Sequence, residues 1–208
     1  IKDLSAQAKP VMPMRLRRYA AGAAVALSVY AVCAQCWLEG FRPDLTAQLM
    51  RPMFILELLL LTAMLVSAAV AAVVGMLPDA AQQRLLMRAP YFFSGAMLAL
   101  VTFQLLLPQD ARMVMAHAAA HTHQCTMYIA VTALLPAMAM FMLLRKGASV
   151  MPTHAGALAV IASVAVGAIT LRLAEANDSI THLLTWHYIP SIFFASMGAL
   201  LGRALLRW

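Results

Sequence analysis

Six apolar stretches, each about as long as a membrane-spanning helix, constrain the fold of this chain more than any other feature. A helix needs roughly 20 mainly apolar residues to cross the ~30 Å hydrocarbon core of a bilayer. The stretches are continuous rather than alternating every second residue, which favours helices over barrel strands, and turn-forming residues separate them. The predicted spans are about Tyr19–Trp37, Met53–Met76, Tyr91–Leu107, Cys125–Leu144, Gly156–Leu173 and Trp186–Leu205, the third and fifth being short.

The composition supports a membrane protein over a soluble one. Of 208 residues, 63% are hydrophobic and 11% are charged, whereas soluble domains have about 45–50% apolar and about 25% charged residues. We therefore predict an all-α integral membrane protein with an N-terminal segment, residues 1–18, and one six-helix membrane domain, residues 19–208. No cleavable signal peptide is expected, because the first apolar run starts only near Tyr19, behind a polar segment.

Basic residues are distributed unevenly between the two sides that six spans define. Both termini lie on one side, which carries eleven of the fifteen Lys and Arg residues. The positive-inside rule therefore places both termini in the cytoplasm. We assign the net charge of +7 to this bias and to contact with anionic lipid headgroups, and we expect no direct nucleic-acid binding.

Reactive side chains gather toward the opposite, outer side of this topology. Five of six histidines and all three cysteines lie there. Two sets of these residues have a helical spacing of three or four positions, one set before the fourth span and one between the fifth and sixth spans. Such spacing places the members of each set on one helix face. Together they predict a zinc-like site of N, S and O ligands, the alternative being solvated loop residues and a packed cysteine. The candidate ligands are Cys125, His121, His123, Glu175, Asp178 and His182.

Two further features of the spans have both a structural and a functional interpretation. Cys33-x-x-Cys36 lies in the first span, where cysteines are usually small packing residues, but Cys36 is also a redox alternative that could pair with Cys125 in an oxidising periplasm. Glu57 lies about one turn inside the second span. An acid at that depth is a functional candidate, although we favour structural pairing with Arg51, which is close in sequence.

No pattern typical of an enzyme is present, and we predict no catalytic residues. The chain has no glycine-rich phosphate loop, no paired intramembrane carboxylates and no recognisable Ser/His/Asp arrangement. As a transporter it is short and shows no matching broken helices. A small membrane transporter or metal-efflux protein remains the alternative to a regulatory protein.

Several segments resemble one family, the NrsF-like bacterial inner-membrane anti-sigma factors, which are encoded beside extracytoplasmic-function (ECF) sigma factors. The start, Leu4-Ser-Ala-Gln-Ala-Lys-Pro-Val-Met-Pro-Met-Arg15, is similar to the family's leucine-rich start followed by Pro-Val-x-Pro-x-Arg. Cys125, followed by an apolar helix and Leu143-Leu-Arg-Lys-Gly-Ala148, resembles the stretch around the family's first characteristic cysteine. The ending Gly198-Ala-Leu-Leu-Gly-Arg-Ala-Leu-Leu-Arg-Trp208 is the most specific part of the resemblance.

The chain departs from this family at one position. Where the family usually has a second cysteine, the sequence Leu173-Ala-Glu-Ala-Asn-Asp178 places Glu175. A disulfide switch between the two outer loops is therefore excluded. Metal coordination survives the change better, because Glu is a competent oxygen ligand for zinc-like ions.

The resemblance implies a partner, a location and a mechanism. An ECF sigma factor would be held on the cytoplasmic side of the bacterial inner membrane and released on a periplasmic metal or oxidative stress signal. The sequence leaves open which signal acts and whether copies of the chain form a homo-oligomer. The partner-binding candidates, all in the N-terminal segment, are Leu4, Pro10, Val11, Pro13 and Arg15.

Overall fold

A computed structural model of the chain describes residues 16–38, 40–107 and 122–206, without the side chains at positions 37, 38, 122 and 123. Across these ranges the chain is mainly helical and has no strand. Six helical segments are long and apolar enough to cross a membrane, which confirms the predicted all-α, six-span architecture. The cytoplasmic placement of the termini stays a prediction from the charge distribution.

The helices follow the predicted order. Five spans are single helices, and the sixth is interrupted by a π-helical turn. The elements are α1 (Leu16–Leu38), the short α2 (Leu45–Gln48), α3 (Pro52–Val74), α4 (Arg84–Leu106), α5 (Thr122–Leu144), α6 (Pro152–Ala174), α7 (Ile180–Leu183), the π-helical turn (Leu184–Tyr188) and α8 (Ile189–Leu205).

The prediction that the third and fifth spans are short is wrong. Helices α4 and α6 each have 23 residues, because both begin before their apolar stretches. Helix α4 includes Arg84 and Arg88 in its first turns, and α6 starts with Pro152 at its first helical position, where a missing N–H costs nothing. Likewise α1 begins at Leu16, ahead of the predicted boundary at residue 18, and residues 1–15 lie outside the described ranges.

Helix α6 is the most buried of the six spans and packs against α1, α3, α5 and α8. Its contact with α8 depends on glycine: a Cβ at Gly156 would lie 2.5 Å from the Cα of Gly202, and a Cβ at Gly198 would lie 2.5 Å from the side chain of Val160. Small residues of this kind allow helix backbones in membranes to approach closely. Helix α6 therefore forms a rigid centre to the bundle.

The loops at the end of the bundle where α6 terminates, which we call the outer end, are fastened to α6. The backbone N–H of Arg42, in the loop between α1 and α2, donates a 2.9 Å hydrogen bond to the carbonyl of Leu173. After α6, residues 175–179 form a short extended segment, and Asn177 Oδ1 accepts a 3.0 Å hydrogen bond from the N–H of Ser179. The first loop is therefore tied to the end of α6, and the loop 175–179 is held in shape by its own hydrogen bond.

Candidate functional site

Four potential ligands meet at the outer end, and we call them the thiol–histidine cluster. Cys125 comes from the first turns of α5, Glu175 from the residue after α6, His182 from α7, and His187 from the π-helical turn. One potential ligand atom of each lies within 4.8 Å of the others. Cys125 and both histidines are buried, and Glu175 is partly buried, so the group forms a protected polar site rather than an exposed surface patch.

The carboxylate of Glu175 joins the other three side chains of the cluster. Its Oε1 lies 3.0 Å from His182 Nε2, and its Oε2 lies 3.1 Å from His187 Nε2. The Sγ of Cys125 is 3.5 Å from Glu175 Oε1 and 3.6 Å from His182 Nε2. Burial raises the pKa of Glu175, but the hydrogen bond from His187 and the charges of both histidines outweigh burial and hold that pKa below its ordinary value. The cluster therefore contains an ionised carboxylate between two imidazoles.

The π-helical turn brings the two histidines together. His182 and His187 are five residues apart, so in a regular α-helix their side chains would point about 140° away from each other. The wider turn reduces this offset, and the ring centroids lie 5.4 Å apart. The carbonyl of Trp186 in the turn accepts a 2.7 Å hydrogen bond from Thr126 Oγ1, which ties the turn to α5 beside Cys125. Such π-helical turns occur frequently at functional sites.

A second buried group, centred on Asp178, lies beside the first. Its carboxylate accepts hydrogen bonds from Arg42 at 2.8 and 2.9 Å, from Arg172 at 2.6 Å and from Gln48 at 2.9 Å, and Arg42 also contacts Asp44 at 2.6 Å. Burial raises the pKa of Asp178, but its hydrogen bonds and ion pairs with Arg42 and Arg172 more than offset that effect and lower the pKa. Asp178 is therefore a fully paired carboxylate that is ionised at neutral pH.

Glu57 extends this second group into the bundle. Its Oε1 lies 3.0 Å from Arg172 Nε and accepts a hydrogen bond from the hydroxyl of Tyr188. The ring of Phe54 lies under both guanidinium groups, at 5.6 Å from that of Arg42 and 4.8 Å from that of Arg172, within the range of cation–π attraction. We call the charged members the charge network, which consists of Arg42, Asp44, Glu57, Arg172 and Asp178.

The predicted pairing of Glu57 with Arg51 is wrong. Glu57 faces Arg172 of α6 and is buried, whereas Arg51 is exposed just before α3. Arg51 precedes the helix with extended backbone angles, so its side chain does not share the helix face that carries Glu57. Proximity along the chain therefore misled the sequence argument.

The structure sorts the predicted ligands into three groups. Cys125, Glu175 and His182 come together, whereas Asp178 belongs to the charge network because two guanidinium groups occupy its carboxylate. His121 lies outside the described residues, as does the side chain of His123. The sequence argument did not include His187 among the ligands. Its spacing from His182 is off-face in a regular helix, and its position just inside the sixth span was the only available signal.

The remaining candidate residues lie elsewhere in the chain. Cys33 and Cys36 are exposed thiols on α1, whereas Cys125 is buried, and a redox pairing of Cys36 with Cys125 stays a prediction. The partner-binding candidates of the N-terminal segment lie outside the described residues; they are Leu4, Pro10, Val11, Pro13 and Arg15.

The chemistry open to the thiol–histidine cluster follows from its side chains. A thiolate, two imidazoles and a carboxylate are all ligands of zinc and related divalent ions. Without a metal, a thiolate is the group in such a site that oxidants attack first. Both properties suit a detector at the end of a membrane bundle.

Comparisons with known proteins identify the family. Comparison with curated proteins gives no significant match, and neither does comparison with solved structures. A family model described as "NrsF: Negative regulator of sigma F" matches residues 4–208, which is nearly the whole chain. The chain therefore belongs to the NrsF family.

Proposed function

We propose that this chain is a membrane-bound anti-sigma factor that sequesters an ECF sigma factor and releases it when a metal or an oxidant reaches the outer end. The observation that carries the proposal is the family match over residues 4–208, since the family is described as a negative regulator of a sigma factor. The ECF class of the partner and the nature of the signal are our additions, and they rest on the resemblance and on the thiol–histidine cluster.

A location in the bacterial inner membrane, with both termini in the cytoplasm, fits this role. Six spans are present among the described residues, and the side that would carry the termini holds eleven of the fifteen basic residues. The N-terminal segment would then face the compartment in which a sigma factor works. The outer end would face the periplasm, where metals and oxidants arrive first.

Helix α6 offers a path between the two sides. The loop with Glu175 and Asp178 follows its C-terminal end, while its N-terminal part packs on α8 through Gly156, Gly198 and Gly202. A backbone contact without intervening side chains transmits a shift instead of absorbing it. A tenfold weaker grip on the partner requires only about 1.4 kcal/mol of coupling, which is within the usual range for linked sites.

The experiment that tests this function removes the proposed grip on the partner. Deleting Ile1–Lys9 should release sigma-dependent transcription from a reporter promoter while the protein still accumulates in the membrane fraction. Replacing the apolar anchors, Leu4→Asp with Val11→Asp, should have the same effect, because binding of a short segment depends on its few apolar anchors. Lys2→Ala with Lys9→Ala is the matched control and should still repress. Full repression by the deletion variant would refute an N-terminal grip.

The transport alternative predicts a different result. A small metal-efflux protein would move ions into proteoliposomes and would not retain a sigma factor during purification. Co-purification of a sigma factor without ion flux supports regulation, and ion flux without a bound sigma factor supports transport.

A further inference from the structure

We infer that Cys125, Glu175, His182 and His187 form a binding site for a divalent ion of the zinc class, with His187 as the fourth ligand. This inference names the signal detected at the outer end, and its regulatory consequence rests on the proposed function. The binding itself is a separate property that purified protein can display with no sigma factor present.

The distances within the thiol–histidine cluster are close to those of a tetrahedral site. With Zn–N distances near 2.0–2.1 Å and a Zn–S distance near 2.3 Å, neighbouring ligand atoms lie about 3.4–3.6 Å apart. Here the sulfur of Cys125 lies 3.5 Å from an oxygen of Glu175 and 3.6 Å from a nitrogen of His182. The two carboxylate–imidazole distances, 3.0 Å from Oε1 to His182 and 3.1 Å from Oε2 to His187, are shorter, and one ligand atom from each of the four residues lies within 4.8 Å of the others. The four groups can surround an ion without a change of fold.

The ligand types select the class of ion. Calcium and magnesium take oxygen ligands almost exclusively, so a site with one sulfur and two nitrogen donors disfavours both. Thiolate with imidazole and carboxylate suits zinc and neighbouring borderline divalent ions. Coordination requires Cys125 to lose its thiol proton and each coordinating imidazole nitrogen to be unprotonated, so binding releases protons.

The balance of charge in the cluster also favours a divalent cation. An ionised Cys125 and an ionised Glu175 together carry two negative charges, which a divalent ion neutralises. In the charge network beside the cluster, Arg42 and Arg172 pair with Asp178 and Glu57, so both guanidinium groups already face carboxylates of that network. A buried neutral centre is less costly than a buried net charge, so a divalent ion is the charge that the deprotonated cluster matches best.

Metal binding would also stabilise the π-helical turn and its neighbours. His187 faces the cluster only while this turn persists, and the next residue, Tyr188, donates a hydrogen bond to Glu57 of α3. An ion held by His182 and His187 therefore favours the π-helical form over a regular helix in the same segment. The consequence is a link between the metal, α3 and the end of α6, where Arg172 also contacts Glu57.

The test uses the purified full-length chain in detergent, with cobalt(II) as the spectroscopic probe and zinc as the competitor. Wild-type protein should show the charge-transfer absorption of a cobalt–thiolate bond and the intense visible bands of a four-coordinate ion, and both should disappear on addition of zinc. His187→Ala should weaken cobalt binding at least about 100-fold, the upper end of what loss of an outer-shell group costs. Cys125→Ser should remove the charge-transfer band. His154→Ala, an exposed histidine on α6, is the matched control and should bind as wild type does.

Each outcome decides for or against the site. Absence of a cobalt–thiolate band in wild-type protein, or wild-type affinity in His187→Ala, overturns the inference. If His187→Ala elutes as an aggregate, Glu175→Gln decides, since it keeps a hydrogen-bonding partner for the histidines but lacks the ligand charge; unweakened binding by this variant also overturns the site. Co-purification of the sigma factor is measured on the same preparations. Retained sigma factor without a cobalt site refutes the metal site alone, and a cobalt site without a sigma factor refutes the proposed function alone.

Discussion

Glu175 and Asp178 stand three residues apart in one loop, yet their carboxylates face different kinds of partner. Asp178 contacts two guanidinium groups, which stay protonated at any physiological pH. Glu175 contacts two imidazoles and a thiol, whose protons and metal ligation change with conditions. One loop therefore has permanently charged partners at Asp178, which hold it in place, and partners with exchangeable protons at Glu175.

The two groups should therefore differ in what their removal costs. Taking one partner from a buried ion pair leaves an uncompensated charge in a medium that solvates it poorly. Replacing one member of the thiol–histidine cluster with a polar residue of similar size keeps a hydrogen-bonding group beside the remaining partners. We expect variants of the charge network to lose stability, and variants of the thiol–histidine cluster to lose response.

The largest expected effect is that of Arg172→Met. This change leaves the buried carboxylate of Glu57 without its cation and weakens the pairing of Asp178, so it should destabilise the protein by about 3–5 kcal/mol. Thermal unfolding in detergent, followed by circular dichroism, measures the loss. Arg51→Met, an exposed arginine at the same end, is the control and should change little. Adding Glu57→Met to Arg172→Met should restore part of the stability, and no recovery would argue against a direct pair.

The second prediction uses acid to test the charge network. The pKa of Asp178 in the folded protein is below its unfolded value, so its ionised form contributes stability that is present above about pH 3.9 and lost as the pH falls through the folded value. Asp178→Asn should cost about 1.5–3 kcal/mol near neutral pH and should flatten the fall in stability at low pH. Unfolding midpoints measured down to acid pH provide the check. The exposed Asp79→Asn control should keep the wild-type slope, and an unchanged slope in Asp178→Asn would contradict the assignment.

The third prediction concerns Cys125→Ser. Serine keeps a donor within reach of Glu175 and His182, so the change should alter stability by less than about 1 kcal/mol. The variant should still repress the sigma-dependent reporter but should no longer respond to the inducing metal or oxidant. Reporter activity with and without inducer checks this, together with the unfolding midpoint. A normal response in Cys125→Ser would remove the thiol from the detection mechanism.

The last prediction concerns Glu175→Cys, which should change the kind of response rather than remove it. The Sγ of Cys125 lies 3.5 Å from Glu175 Oε1, so position 175 faces Cys125, although a cysteine there is shorter than glutamate and its thiol must approach to form a bond. Oxidation should then form a disulfide, visible as a mobility change on non-reducing gels, and the reporter should become more sensitive to oxidants. Glu175→Cys combined with Cys125→Ser is the control and should show neither effect. Unchanged mobility after oxidation would mean that the geometry of the two positions does not permit a bond.

Part of the outer site was predictable from sequence spacing. Cys125 and Glu175 lie 50 residues apart, and the sequence placed them on the same side because each is next to a span boundary whose position follows from local apolarity. His182 was predictable for the same reason. The sequence argument could not separate Glu175 from Asp178, because both are acids in the same loop and their surroundings come from other helices. Arg42, which binds the carboxylate of Asp178 from the loop between α1 and α2, is 136 residues away along the chain.

The sequence by itself determined the class of the protein and the side on which its reactive residues gather. Apolarity over about 20 residues is a local property. In a bilayer such a stretch forms a helix, because its backbone groups must hydrogen-bond within the segment. Only the tertiary structure decided which polar groups share a cluster. The packing of six helices decides two features: the π-helical turn that directs His187 toward His182, and the placement of Arg172 between Glu57 and Asp178. Packing joins residues that no sequence period relates, because its energy comes from contacts between helices and not from neighbours along the chain.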